Sequence, residues 1–94
     1  MTDDRFAGVP GAELVVPGLA DLRAGRETAN ALLVAIGAPR LRALGLDVPD
    51  TPPSPEHRLY RLLAATEGDH AHSAWNALVR RLVSFERALE SLGR

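Results

Sequence analysis

The chain has 94 residues, a formal net charge of −1, eleven basic residues that are all arginine, and no cysteine. That length supports one modest hydrophobic core and no second domain. The missing cysteines exclude disulfides, thiolate metal sites and a cysteine nucleophile, and the near-zero charge excludes a chain-wide attraction to nucleic acid or anionic lipid.

The apolar residues are mainly Leu, Val and Ala, with Phe6, Tyr60, Trp75 and Phe85 as the aromatics. Side chains this small favour close helix packing over a large internal ligand cavity. The longest apolar run, Ala31 to Ile36, is far short of the ~20 residues of a membrane-spanning helix. Met1-Thr2-Asp3-Asp4 is acidic where a signal peptide is basic. These features predict a soluble, cytoplasmic protein with no membrane partner. Arginine without lysine, together with abundant Ala and Gly, is the usage of a high-GC bacterial coding sequence.

Residues 1–12 read as a flexible arm, with Gly8, Pro10 and Gly11 as breakers and Phe6 or Val9 as possible anchors; residues 13–94 read as one helical domain. Leu14 to Val16 form an apolar lead-in. Pro17 then suits the first turn of a short helix carrying Leu19 and Leu22, with Gly25 as its stop. Glu27 to Ile36 is apolar nearly all round after Asn30, the pattern of a helix surrounded by others. Gly37 and Pro39 predict a break and a separate short helix from Arg40 to Leu44, closed by Gly45.

Leu46 to Ser54 is rich in proline and predicts a connector. Ser54, Pro55 and Glu56 predict the start of a helix with serine as its cap, an inner stripe of Leu59, Leu62, Leu63 and Thr66, and an end at Gly68. Asp69 is the expected cap of the last helix. Along that helix Ala71, Trp75, Leu78, Leu82, Phe85, Leu89 and Leu92 alternate spacings of four and three, which makes a continuous apolar seam. The expected fold is therefore all-α: a bundle of four helices plus one short helix, the last two forming an antiparallel hairpin, with Trp75 largely buried.

For function, the pattern favours a small helical interaction module, an accessory or regulatory protein acting through protein–protein contacts and self-associating as a homodimer. The expected surface comprises Trp75, Val79 and Val83 with Arg58, Arg61, Arg80 and Arg87, since Val79 and Val83 extend apolar surface beyond the seam. An alternative is a nucleic-acid-binding regulator that uses residues 27–46 as a helix-turn-helix, with Arg40 and Arg42 reaching the nucleic acid, or uses the arginine surface. A second alternative is a metal-dependent enzyme built on His57, His70 and His72. Their spacing is poor, because His70 and His72 project about 200° apart on a helix. No nucleophile elbow, phosphate-cradling glycine loop or paired-carboxylate motif supports catalysis, and no cofactor is implied.

Overall fold

The computed structural model describes residues 6–92. Among them every regular element is helical: α1 (Ala12–Arg23), α2 (Ala29–Ala43), α3 (Pro55–Glu67), a 3-10 turn (Gly68–His70) and α4 (Ala71–Leu92).

Helix α1 begins earlier than Pro17, which lies inside it. Gly11 at φ 83° turns the chain into the helix, and its carbonyl accepts hydrogen bonds from the amides of Leu14 and Val15. A Cβ at Gly11 would stand 2.4 Å from the Arg81 carbonyl oxygen and 2.9 Å from the Phe85 Cβ. Only glycine combines that conformation with such close approach to α4. Leu14 to Val16 are thus helical, with Val15 fully buried. Of the expected arm, residues 1–5 lie outside the described residues. Phe6 is 5% exposed and sits edge-on to Phe85 with ring centroids 5.5 Å apart, so it anchors the segment that precedes α1.

A polar junction joins α1 to α2. Thr28 accepts from the Ala31 amide at 3.2 Å as the N-cap of α2, and its hydroxyl donates to Asp21 at 2.7 Å. The Arg26 guanidinium donates to the same carboxylate at 3.0 Å. The Thr28 hydroxyl, and after it Arg26, hold the Asp21 carboxyl below its ordinary pKa. One turn earlier Gly18 brings the two helices together, because a Cβ there would lie 2.4 Å from the Asn30 carbonyl oxygen.

Helix α2 corrects the expected break at Gly37. It runs without interruption through Gly37 and Pro39, so the separate short helix does not exist. The local stop signals lose to packing: Ala35, Ala38 and Leu41 are buried on both sides of the proline and keep one apolar surface continuous. Gly37 is a contact residue, with the Leu82 methyls 3.0 Å and Glu86 Oε2 3.2 Å from where its Cβ would be. The helix ends as Gly45 predicts. Gly45 donates to the Arg42 carbonyl and Leu46 to the Leu41 carbonyl, the paired bonds of a Schellman cap, with Leu41 and Leu46 both buried.

Leu32, Leu33, Val34 and Leu41 of α2 form the middle of the core, among Val15 and Leu19 of α1, Leu59 and Leu63 of α3, and Leu82 and Phe85 of α4. Each such side chain contributes about 1.5–3 kcal/mol by leaving water, which explains why residues 31–38 of α2 carry no polar face. The proline-rich connector is held down by buried Leu46 and Val48. Two expected caps are absent. Ser54 adopts φ 52° and makes no side-chain cap bond, and Asp69 lies within the 3-10 turn that precedes α4.

Candidate functional site

The seam on α4 is unevenly covered. Ala71, Leu82 and Phe85 are buried, Trp75, Leu78 and Leu89 are half-buried, and Leu92 is 71% exposed. Trp75, expected to be largely buried, is partly buried and packs against the core cluster. It borders the core and faces Tyr60 of α3, itself 44% exposed, with ring centroids 6.1 Å apart and planes tilted by 60°. The 3-10 turn reverses the chain and sets these rings side by side. Val79 and Val83 follow Trp75 at intervals of four and are also half-buried. At about 100° per residue, each step of four moves about 40° away from the buried stripe. The result is an apolar ridge that leaves the core and stays half-buried along its length.

The arginines expected beside this ridge divide between two places. Arg80 and Arg87 are exposed on α4, on the side away from the buried stripe. Arg58 donates to the Pro53 carbonyl at 2.8 Å and pairs with Glu27 at 2.8 Å, which directs it to the α1–α2 connector. Arg58 and Arg61, with His57, Ser54 and Glu27, line an open cleft of ≈ 550 Å³ at the start of α3. Tyr60 and Glu27 had not stood out in the sequence. Tyr60 sits at the border of the α3 stripe, and Glu27 meets Arg58 across a separation of 31 residues that no local pattern encodes.

The residues proposed for nucleic-acid binding are placed differently from expectation. Residues 29–43 are one helix, so there is no turn at 37–39 and no helix-turn-helix. Arg40 forms an ion pair with Glu90. Arg42 donates to the carbonyls of Val48 at 3.2 Å and Pro49 at 2.9 Å, fastening the connector to α2. The histidines do not converge either. His57 opens α3 while His70 follows its far end, about 20 Å along the chain axis by helical rise. Among the described residues no three His, Asp or Glu side chains gather as a metal site would need.

One buried titratable group remains. Glu86 is 8% exposed and lies on α4 against Gly37, near Arg40. Burial raises its carboxyl pKa, and the Arg40 charge offsets part of that rise. A comparison with protein families, curated proteins and solved structures finds nothing that matches this chain.

Proposed function

We propose that the protein is a helical interaction module whose working surface is the Tyr60–Trp75–Val79–Val83 ridge, with a second copy of the chain as the partner. The observation that carries the reading is the pair of aromatic rings left at the edge of the core, Tyr60 at 44% exposure against half-buried Trp75. Tyrosine and tryptophan offer large, stiff, partly polar contact area, which is why they dominate the energetic centres of protein interfaces. Here Trp75 is continuous with Val79 and Val83 on α4, Tyr60 of α3 lies beside it, and Arg80 and Arg87 supply a charged margin. Two copies related by a twofold axis would each present the same ridge to the other.

The interaction reading is favoured over nucleic-acid binding by the engagement of Arg40 and Arg42 within the chain. Sedimentation equilibrium tests the proposal. The chain is expected to be dimeric at high concentration, and Tyr60→Glu, a change at an exposed position, is expected to leave a folded monomer. Electrophoretic mobility of DNA and RNA at low salt is expected to be unaffected by the protein.

A further inference from the structure

We propose that the cleft at the start of α3 binds a small phosphate monoester through Arg61 and Arg58. This site is separate from the aromatic ridge: His57, Arg58 and Arg61 share one face of α3, centred about 110° from Tyr60 at about 100° per residue, and Ser54 immediately precedes the helix.

The arginines elsewhere are mostly occupied. Arg26 pairs with Asp21, Arg40 with Glu90 and Arg81 with Glu13, while Arg23 and Arg42 donate to backbone carbonyls. Arg61 makes no hydrogen bond or ion pair with any described residue, yet it lines a cleft of ≈ 550 Å³. Arg58, on the same wall, already holds a carboxylate oxygen of Glu27 at 2.8 Å. The cleft thus shows both states of an anion site, one guanidinium engaged by an internal oxyanion and one without a partner.

A guanidinium presents a flat fork of N–H donors that matches two oxygens of a phosphate, and two forks with an adjacent imidazole can serve three. Ser54, whose hydroxyl does not cap α3, lines the same space. With Glu27 counted against Arg58, Arg61 supplies the uncompensated positive charge of the lining. A monoester offers these donors three terminal oxygens and a diester only two, so the monoester is the better fit. Glu27 is then a competitor for Arg58 that a bound phosphate must displace.

That competition makes the test specific. Amide and arginine side-chain resonances are followed by NMR while inorganic phosphate, glycerol phosphate or dimethyl phosphate is added at constant ionic strength. The expected result is saturable shifts confined to residues 54–62 and Glu27 with the first two, and none with the diester. Arg61→Gln, at an exposed position, is expected to weaken binding about tenfold or more, with Arg61→Lys intermediate. Glu27→Gln is expected to tighten binding about two- to fivefold by freeing Arg58. A spectrum of each variant without ligand verifies that it is folded. The proposal is overturned if phosphate produces only the shifts that chloride does, if Arg61→Gln binds as well as the parent, if Glu27→Gln weakens binding, or if the diester binds as tightly as the monoester.

Discussion

Replacing Gly18 by alanine sets two known effects against each other. In a helix interior, glycine is about 0.5–1 kcal/mol less favourable than alanine, so local propensity alone predicts that Gly18→Ala stabilises α1. The packing predicts the opposite. The new Cβ would lie 2.4 Å from the Asn30 carbonyl oxygen, 2.6 Å from a Val34 methyl and 2.9 Å from the Asn30 carbonyl carbon. A side-chain methyl can rotate aside, but the Asn30 carbonyl belongs to the first turn of α2 and cannot. The two helices must separate by about 1 Å to restore van der Waals distance, and overpacking of this kind costs about 1–3 kcal/mol or more. The net expectation is a loss of about 2 kcal/mol, which for a domain of this size lowers the melting temperature by about 8–16 °C. Gly37→Ala is the internal control. The atoms nearest its new Cβ are the Leu82 methyls at 3.0 Å and the Glu86 carboxylate at 3.2 Å, all at the ends of side chains, so it is expected to be close to neutral. Thermal and urea denaturation measure both. If Gly18→Ala were as stable as the parent, or more stable, the close α1–α2 approach would be wrong.

Other expectations follow from individual residues. Glu86 has its carboxyl pKa raised by burial, so folding favours the protonated form. The stability this contributes is complete below the ordinary pKa of 4.5 and is lost as pH rises through the higher folded value. Glu86→Gln is accordingly expected to be more stable than the parent at pH 7 and to lose that advantage near pH 4, as melting temperatures at the two values will show. Asp21 has the opposite sign. Its lowered pKa contributes stability above 3.8 that disappears as pH falls toward the folded value, so Asp21→Asn is expected to be less stable at pH 7 and to approach the parent in acid. Ser54 occupies the left-handed region at φ 52° without a capping bond. Since that conformation costs a non-glycine residue about 1–2 kcal/mol, Ser54→Gly is expected to gain about 0.5–1 kcal/mol in urea after allowance for its more flexible unfolded chain.

The sequence made the helical class and the central place of α2 readable, because a segment with no polar face has to be surrounded. It also made the seam on α4 readable as a periodicity. Where it misled, local signals met contacts between distant residues. Gly37 and Pro39 are helix breakers by local rules, yet α2 runs through both, with Gly37 lying against Leu82 and Glu86 of α4. Pro17 marks a helix start only if the chain before it is free, and Gly11 begins the helix earlier through its contact with Arg81 and Phe85. Ser54 has the composition of a cap, but its left-handed backbone is not that of a capping residue. The candidate sites were half visible. Trp75, Val79 and Val83 follow from spacing on one helix. Their neighbour Tyr60 and the Glu27–Arg58 pair depend on how helices far apart in sequence are laid beside one another.

The central claim is that the Tyr60–Trp75 edge holds two copies of the chain together. Sedimentation equilibrium from micromolar to near-millimolar concentration tests it most directly, with the parent and Tyr60→Glu run side by side. The account predicts a reversible monomer–dimer equilibrium for the parent and a single folded monomeric species for the variant. A parent that stays monomeric throughout, or a variant that dimerises as tightly as the parent, would contradict it.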